Sequence, residues 1–576
     1  MITGKIAFLT REEPSRRRTT WILPLQIVVL CFGVVTCPAS GLLAQESDVD
    51  KSGTSIVLNL LKPTPVPFQH TDGSSGKRYV VEPMTAGLAL FDYDGDGLID
   101  IYFLNGAPLP GTPKVDPPPT NRLYRNLGDW RFVDVTESAR VGDTGYGLGV
   151  VAGDVDNDGD LDLYVSNFEK DVFYINNADG TFTEAAGESG LDDGGRFGAG
   201  VCMLDIDNDG NLDLYCANYQ YFSFDKHFQQ TIGDYQYHPG PHDFPPADDL
   251  LFRSNGDGTF TDVSASSGIR VKPAPGMGVV SADFDGNGAA DILIANDSFP
   301  NFLFLNDGTG KFSEDALIAG VALDRLGRPN GNMGIDCGDI DNDGLLDIFT
   351  TTYQDEMPVL YRQVANGIFE DVTNTAKISS SLLPHVSWGL GIVDFDNDSD
   401  KDLYVACGHF LDNIKHLDDR TSVKVNNFVM QNNGHGIFED VSRAVGATVE
   451  PIESSRGAGF DDLNNDGLVD VVVVNVNTAP SFLENRSPVQ HWIAIELTGT
   501  RSTRDAAGAI VRVRTDLQSQ MSVVHLGRSY QSHFGTRLHF GLGERTSGVI
   551  EVRWPTGVVQ KLIFTNSNKV LRIVEE

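Results

Sequence analysis

The sequence predicts an all-β protein in which a seven-bladed β-propeller is followed by a small C-terminal β domain. An aspartate-rich loop of nine residues occurs seven times, and each copy leads into a strand-like run of alternating apolar and polar residues. A second motif, a hairpin with a Gly/Asp turn, alternates with the loop. The loop with its two strands and the hairpin together supply four strands, which make one propeller blade. The propeller is predicted over residues 55–487 and the C-terminal domain over residues 490–576.

The seven loops share one register of oxygen-bearing residues, with Asp or Asn at positions 1, 3, 5 and 9 and a backbone carbonyl available at position 7. Position 1 is Asp92, Asp154, Asp205, Asp283, Asp339, Asp394 and Asp462, and position 3 is Asp94, Asp156, Asp207, Asp285, Asp341, Asp396 and Asn464. Position 5 is Asp96, Asp158, Asp209, Asn287, Asp343, Asp398 and Asp466, and position 9 is Asp100, Asp162, Asp213, Asp291, Asp347, Asp402 and Asp470. Position 7 is Leu98, Asp160, Asn211, Ala289, Leu345, Asp400 and Leu468.

This pattern predicts calcium sites, up to seven Ca²⁺ ions with one in each blade. Calcium takes six to eight hard oxygen ligands, and alternate positions of a tight loop direct several carboxylates at one point. Position 6 needs a sharp turn, and it is Gly in six loops and Ser399 in the other. An EF-hand would need Glu at position 12 and helical flanks, whereas position 12 here is a strand residue in every copy. A plain hairpin turn would explain one such loop, but seven in one register favour a cation.

Charge and composition limit the partners that this chain can have. Its 576 residues contain 80 acidic and 43 basic side chains, for a net charge of −37. Binding to nucleic acid requires clustered Lys and Arg, so nucleic acid is not expected as a partner. A hydrophobic content of 40% with regular β-type runs argues against a disordered chain. Acidic loops of this kind suit a protein that binds cations.

A glycine stands five residues before the first aspartate of every loop: Gly87, Gly149, Gly200, Gly278, Gly334, Gly389 and Gly457. Glycine inside a strand marks a bulge or a close approach of two backbones, so these residues predict strands that crowd around a common axis. After the seventh loop, residues 482–485 begin a hairpin that has no returning strand. Residues 67–71 resemble the missing strand, so we expect the N-terminus to complete the last blade and close the ring.

The first 44 residues are predicted to be a signal peptide. Basic residues at 11 and 16–18 precede an apolar run at 21–35 and a small-residue cleavage site at 42–44. An uncleaved membrane anchor is the alternative. No later apolar stretch is long enough to span a bilayer, so no membrane span is expected in the mature chain. This predicts a secreted, cell-surface or periplasmic protein; the oligomeric state is left open.

Two further features concern the third repeat. Cys202 and Cys216 are placed symmetrically about the third loop, so they are expected to face each other across its hairpin, either as a disulfide or as two buried thiols.

The 78-residue interval before the fourth loop contains an insertion at 219–249 that is rich in aromatic and His residues. A long loop at a propeller mouth suits contact with a sugar or protein, and a cap packed on the ring is the alternative.

Motifs in both domains resemble known families. Residues 149–167 resemble an FG-GAP or VCBS repeat, the repeat of the integrin-α propeller, where some blades carry calcium loops. Residues 502–509, 537–543 and 552–557 resemble the ASPIC/UnbV domain, with Thr503 where that family usually has Asn. The combination is similar to the cartilage acidic protein family and its bacterial members. The resemblance implies calcium binding and an extracellular setting, and it implies no particular reaction.

Residues Arg504, Asp505 and Trp554 within the C-terminal motif allow two interpretations. They form an internal salt bridge and a core aromatic, or they contact a small ligand or glycan if they are exposed together.

These observations predict a non-catalytic extracellular binding or adhesion module for protein or polysaccharide. The alternative is a propeller-based polysaccharide lyase or hydrolase in which calcium is structural, since fold does not determine function. A purely structural envelope role also stays open. Convergence of His, Tyr and Arg at the mouth near residues 219–249 would favour an enzyme. Exposed aromatic rings without perturbed titratable groups would favour binding.

Overall fold

The computed structural model describes residues 54–191, 194–445 and 452–576. The predicted signal peptide, residues 1–44, lies outside the described residues. Within the described ranges, no helix is long and apolar enough to cross a membrane. The described residues form one compact unit that includes both the strands of the propeller and those of the C-terminal domain.

Twenty-eight strands form seven four-stranded antiparallel blades, as the sequence predicts. Blade 1 consists of Leu88–Phe91, Asp100–Phe103, Arg122–Asn126 and Phe132–Asp134. Blade 2 consists of Tyr146–Gly153, Asp162–Glu169, Val172–Asn176 and Phe182–Glu184. Blade 3 consists of Arg196–Leu204, Asp213–Asn218, Leu250–Ser254 and Phe260–Asp262. Blade 4 consists of Gly276–Ala282, Asp291–Asn296, Phe302–Asn306 and Phe312–Glu314. Blade 5 consists of Asn332–Gly338, Asp347–Thr352, Val359–Ala365 and Ile368–Asp371. Blade 6 consists of Ser387–Val393, Asp402–Cys407, Phe428–Asn432 and Phe438–Asp440. Blade 7 consists of Ser455–Asp461, Asp470–Asn475, Ser481–Asn485 and the N-terminal strand Leu58–Leu60.

The N-terminus closes the ring, but a different segment does so from the one predicted. Leu58 pairs with Asn485 and Leu60 with Leu483 in an antiparallel ladder. The expectation that residues 67–71 form this strand is therefore wrong. Phe68 in that segment instead stacks on Phe103, with ring centroids 4.8 Å apart. This strand gives the seventh blade its fourth strand and joins the N-terminal end of the propeller to its last blade.

The seven glycines before the loops form a ring around the axis, and we call them the ring glycines. A methyl group on Gly149 would lie 2.0 Å from the Ala199 carbonyl oxygen, and one on Gly457 would lie 2.5 Å from that of Ala86. Each ring glycine approaches the residue that precedes the next ring glycine, all the way around the propeller. No side chain fits at these distances, so the predicted crowding is confirmed.

Replacing Gly149 with alanine is expected to destabilise the protein by about 1–3 kcal/mol or more, because the methyl group forces two inner strands apart. Gly187→Ala in the short helix Ala186–Ser189 of the same blade is the matched control, since nothing lies within 4 Å of its added methyl group. That control is expected to be neutral or stabilising by up to about 1 kcal/mol. Chemical denaturation measures both changes, and equal values would contradict the crowding.

Eight short helices, of three or four residues each, connect the strands in the described part of the chain. The α-helical turns are Thr136–Ala139, Ala186–Ser189, Ser264–Ser267 and Ala316–Ala319, and the 3₁₀ turns are Glu82–Met84, Phe224–Lys226, Ser380–Leu382 and Ile414–His416. The insertion at 219–249 adds a hairpin of Gln230–Ile232 and Tyr235–Tyr237.

The C-terminal domain packs two sheets around a core that includes Trp554. One sheet is Leu538–Gly543, His491–Thr498 and Lys569–Val574, and the other is Ser519–Val523, Ile510–Arg514, Gly548–Arg553 and Val559–Phe564. Trp554 is 1% exposed and donates from Nε1 to Gln560, which confirms the core-aromatic interpretation.

A loop of the C-terminal domain, residues 526–533, enters the centre of the propeller, and we call it the plug. Leu526 pairs with Met203 of blade 3, and Ser529 pairs with Ile335 of blade 5. Ser529 and Ile335 exchange backbone hydrogen bonds of 2.8 and 3.1 Å. The plug thus extends inner strands of separate blades and fills the axis of the ring.

Cys202 and Cys216 are both buried, and they do not face each other. Cys202 pairs with Tyr215, while Cys216 pairs with Val201. The expected register is wrong by one residue. The ladder ends at the pair of Leu204 with Asp213, so the first aspartate of the loop does not belong to it. Neighbouring positions point to opposite faces of a strand, so the two thiols lie in different core clusters.

Candidate metal centres and mouth pocket

In each aspartate-rich loop, which we call a metal loop for its predicted role, the first aspartate holds the loop closed by accepting backbone hydrogen bonds. In the first loop, Asp92 accepts hydrogen bonds from the backbone N–H groups of Asp96 at 3.0 Å and Gly97 at 2.8 Å. The bond from the residue at position 6 recurs in all seven loops. Position 6 has a positive φ throughout, and Ser399 adopts it at 83°. Serine therefore keeps the loop geometry that glycine gives elsewhere, at some cost in backbone strain.

The aspartate at position 9 anchors each loop to its blade. Both oxygens of Asp100 accept backbone N–H groups, from Tyr93 at 3.0 Å and from Asn126 at 2.7 Å. The same double acceptance occurs at the ninth position of every loop, so this residue joins the loop to the third strand. Burial raises the pKa of Asp100 to about 8, because the ionised form has lost its water.

Carboxylate oxygens converge closely enough in these loops to hold a metal ion. Positions 1, 3 and 5 come together in the first and fifth loops, and positions 1, 3 and 9 come together in the second, third and fourth loops, in each case within 4.8 Å. Buried oxygens in several loops have no hydrogen-bond donor in the described part of the chain: Asp94 Oδ1, Asp207 Oδ1, Asp283 Oδ1, Asp339 Oδ1, Asp394 Oδ1 and Asp396 Oδ1. A buried anionic oxygen without a partner is costly, and a cation at the centre of the loop would complete its coordination. The position 7 carbonyls stay predicted ligands.

In three of the blades, an arginine from the third strand contacts acidic residues of the loop of its own blade. Arg125 lies 2.7 Å from Asp94 and 3.0 Å from Asp96. Arg253 contacts Asp207 at 2.6 Å in the same way, and Arg362 pairs with Asp341. These arginines offset part of the negative charge at positions 3 and 5 of loops one and three and at position 3 of loop five.

The C-terminal domain covers the end of the propeller that carries the loops. Arg504 lies 3.7 Å from Asp154, whose backbone N–H donates to Asp505 at 2.7 Å. Ser399 donates to the Gly541 carbonyl at 2.9 Å. The expectation of an internal Arg504–Asp505 salt bridge is wrong, because both residues reach across to the second metal loop.

The insertion at 219–249 caps the opposite end of the propeller. It follows the second strand of blade 3, and antiparallel strands place that connection away from the metal loops. It reaches across to blade 6, where Tyr235 stacks on His416 with ring centroids 5.0 Å apart and Asn413 donates to the Gln236 carbonyl at 3.0 Å. Packing of this kind supports the cap interpretation of the insertion.

Beneath this cap lies a pocket of about 370 Å³, which we call the mouth pocket. Its wall includes Glu82, His238, His409, Phe410, Lys424 and Arg456, which come from four separate parts of the chain. Nε2 of His238 lies 3.3 Å from Glu82 Oε2, and both side chains are more than nine-tenths buried. Burial lowers the pKa of His409 to about 3, so this ring is neutral at physiological pH.

His238 belongs to the insertion that the sequence singles out, whereas Glu82, His409 and Arg456 were not predicted as site residues. The insertion and the three other segments are far apart in sequence, and no motif links them. A signal for Arg456 does exist, because it is the residue before a ring glycine, and the other ring glycines follow apolar residues.

Comparison with known families and proteins gives consistent results. Residues 92–165, 157–216, 245–294, 283–350 and 339–405 match the FG-GAP-like repeat, and residues 499–576 match the ASPIC and UnbV domain. Cartilage acidic protein 1 of Mus musculus is 26% identical over 459 residues, and that of Homo sapiens is 26% identical over 455 residues. Both alignments cover 75% of this chain, and they span 65% and 63% of the length of those relatives.

Two solved structures show a weaker likeness. An Agrocybe aegerita lectin that recognises non-reducing terminal N-acetylglucosamine aligns with a TM-score of 0.36 and 16% identity, covering 63% of this chain and 82% of the lectin. An exotype rhamnogalacturonan lyase aligns with a TM-score of 0.33 and 11% identity, covering 85% of this chain and 90% of the lyase. At these values the likeness adds nothing to what the blade pattern shows about the fold.

Proposed function

Because the chain belongs to the FG-GAP-repeat proteins with a C-terminal ASPIC and UnbV domain, we propose that it is a secreted calcium-binding propeller. It would act outside the cell as a non-catalytic binding or adhesion module for protein or polysaccharide. The mouth pocket is the observation that carries this proposal. It lies at the end of the propeller that the C-terminal domain leaves uncovered, and it brings charged and aromatic side chains to one cavity.

Calcium is the cation that suits the loops best. Each loop offers only oxygen donors, and hard carboxylate oxygens in a flexible loop are the ligands that calcium prefers. The residues at positions 1, 3, 5 and 9 would hold the ion, with the carbonyl at position 7. Bound calcium would neutralise the loop carboxylates and fix the loop conformation, so its role would be structural.

A binding screen tests this function. The full chain, in millimolar calcium, is presented with immobilised extracellular polysaccharides and proteins, and the screen is repeated in EDTA. We expect binding in calcium and its loss in EDTA, with circular dichroism recording whether the blades stay folded. No binding to any probe by the calcium-loaded, folded protein would count against a binding module.

An enzyme is the second candidate, and one observation favours it. His238 with Glu82, together with His409 and Arg456, converge at the mouth beside the insertion, which is the arrangement expected of a polysaccharide lyase or hydrolase. The assay is incubation of the calcium-loaded protein with polysaccharides, followed by measurement of new reducing ends and of unsaturated ends. Product formation that Glu82→Gln abolishes would replace the binding module with an enzyme.

The calcium sites are expected to differ in affinity. The fourth and seventh loops have three carboxylates each at positions 1, 3, 5 and 9, and the sixth has Ser399 in place of glycine, so we expect these sites to bind about tenfold more weakly. Asp283→Ala, Asp394→Ala and Asp462→Ala should then remove less calcium-dependent stability than Asp154→Ala. Calcium titrations followed by thermal unfolding measure the losses, and equal losses at every loop would contradict this ranking.

A further inference from the structure

The inner strands depart from their repeat at one position of the seventh blade. The residue that precedes the ring glycine is Arg456 there, and it is buried and apolar in the other blades. Those residues are Ala86, Leu148, Ala199, Met277, Met333 and Trp388. Six of the seven blades have an apolar side chain at this position. Packing alone therefore does not explain an arginine there.

The guanidinium of Arg456 is buried without an anionic partner. Arg456 is 1% exposed, and it donates to the Pro83 and Ser455 carbonyls and to Ser454 Oγ. Its guanidinium carbon lies 4.1 Å from the centre of the Trp388 ring. Among the described residues, no carboxylate forms an ion pair with it. Burial lowers the pKa of Arg456 to about 10, so the group stays positively charged at neutral pH.

Asp72 attracts Arg456 from beyond ion-pair distance, and an anion that enters the mouth pocket would compensate the buried charge directly. Arg456 lines this pocket together with Pro83 and Ser454, the residues that its guanidinium contacts. Nε and Nη1 already donate to the protein, so Nη2 is the nitrogen left to donate charge-assisted hydrogen bonds to a ligand. The first requirement on the ligand is therefore an anionic group.

Two further polar atoms of the same pocket have no partner. Glu82 Oε1 and His238 Nδ1 are buried and make no hydrogen bond within the described ranges. Both residues line the pocket and are 4% and 7% exposed. A carboxylate oxygen accepts a hydrogen bond, and an imidazole nitrogen donates or accepts according to its tautomer. Hydroxyl groups, which donate and accept, satisfy both atoms.

The charges around the pocket limit how negative the ligand can be. Arg78, Lys424 and Arg456 face a wall that also contains Asp72, Glu82 and Asp412. Arg78 is paired with Asp412 at 2.7 Å, and Lys424 is paired with Glu453. Among the described residues, Arg456 is thus the wall cation that forms no ion pair, while the three wall carboxylates already offset the three cations in number, so a ligand should add little negative charge. A carboxylate fits this balance better than a dianionic phosphate.

We propose that the mouth pocket binds a uronic acid residue, with the sugar carboxylate on Arg456 and the ring hydroxyls on Glu82 and His238. The pocket volume of about 370 Å³ accommodates one sugar ring with part of a second. This inference rests on the proposed binding function and names its ligand as the acidic end or branch of an extracellular polysaccharide.

Saturation-transfer NMR and calorimetry on the calcium-loaded full chain test the proposal. The probes are glucuronate and galacturonate, with glucose and galactose as neutral counterparts and glucose 6-phosphate as the dianion. We expect the uronates to bind at least about tenfold more tightly than the neutral sugars, because a charge-assisted pair is added. Equal binding of neutral sugars, or tighter binding of the phosphate, would overturn the carboxylate assignment.

Variants assign the binding to this pocket. Arg456→Met is expected to weaken uronate binding by roughly tenfold to a hundredfold. Met277→Leu at the equivalent position of blade 4 is the matched control and should bind as the native protein does. Because Arg456 is buried, Glu82→Gln and His238→Ala provide a second test from the opposite wall, and each should weaken binding to uronate and neutral sugar alike. Undiminished uronate binding in folded Arg456→Met would refute the proposal.

The outcomes also separate this inference from the proposed function. Binding to polysaccharides or proteins in the screen without uronate binding would overturn the uronate site and leave the binding module intact. No binding in either experiment would overturn both. Uronate binding together with polysaccharide cleavage would support the uronate site and move the function to the enzyme alternative.

Discussion

Chelation of calcium is expected to destabilise the protein by roughly 7 kcal/mol. Extracellular calcium sites have dissociation constants of roughly 10⁻⁴ to 10⁻³ M. At free calcium about tenfold above such a constant, one site contributes about 1.4 kcal/mol to folding, because the unfolded chain does not hold the ligand geometry. Four such sites contribute about 6 kcal/mol and the three weaker sites about 0.4 kcal/mol each, so the total of about 7 kcal/mol is comparable with the whole stability of many domains.

The physical reason lies in the crowding of the loop carboxylates. Burial, with repulsion from neighbouring carboxylates, raises the pKa of Asp154, Asp339 and Asp462 to about 7 in each case. Raised values mean that the folded protein disfavours the ionised forms when no cation is present. Calcium removes this penalty by pairing with the same oxygens.

Thermal unfolding in calcium and in EDTA measures the effect. We expect a large fall in midpoint on chelation, and its recovery when calcium is restored in excess. Magnesium is the control cation, and it should restore less stability because it requires a tighter octahedral site and releases its water reluctantly. An unchanged midpoint in EDTA would show that the loops fold without the ion.

Chelation should also loosen the C-terminal domain. Its contacts include Asp154 of the second loop and Ser399 of the sixth, so disordered loops would remove part of its support. We expect a single cooperative transition in calcium that reports on both domains. Two separate transitions in calcium would contradict this coupling.

Regular repetition made most of the fold predictable from sequence. The number of loops in one register predicts the number of blades, and the ring glycines predict where the strands meet around the axis. Closure of the ring by an N-terminal strand was predicted correctly, but the strand was placed at residues 67–71. Leu58–Leu60 is only three residues long, and so short a strand has no periodicity to distinguish it from its neighbours.

The plug and the mouth pocket could not be predicted in the same way. Residues 526–533 are irregular, and their partners, such as Ile335, are almost two hundred positions away in the chain. The pocket likewise joins segments whose proximity follows only from ring closure. Local pattern carries no information on such contacts, although the departure of Arg456 from the repeat was visible in the sequence.

The second large effect is expected at the plug, where Arg528 forms a buried ion pair with Asp336. Nε of Arg528 lies 2.7 Å from Asp336 Oδ1, and the side chains are 10% and 0% exposed. Asp336 also accepts the backbone N–H groups of Cys337 at 2.9 Å and Ile392 at 3.3 Å. Arg528→Met removes the cation and leaves a buried carboxylate beside the axis. Loss of one partner of a buried pair costs about 3–5 kcal/mol.

Arg545→Met is the matched control, since Arg545 pairs with Asp516 at the surface of the same domain, with side chains 30% and 73% exposed. Exposed pairs contribute about 0–1 kcal/mol, so this variant should unfold almost as the native protein does. The double variant Asp336→Leu with Arg528→Met removes both charges and should recover much of the loss, because no uncompensated ion remains. Chemical denaturation measures all three. An Arg528→Met cost no greater than that of Arg545→Met would mean that the plug is held by its backbone pairing alone.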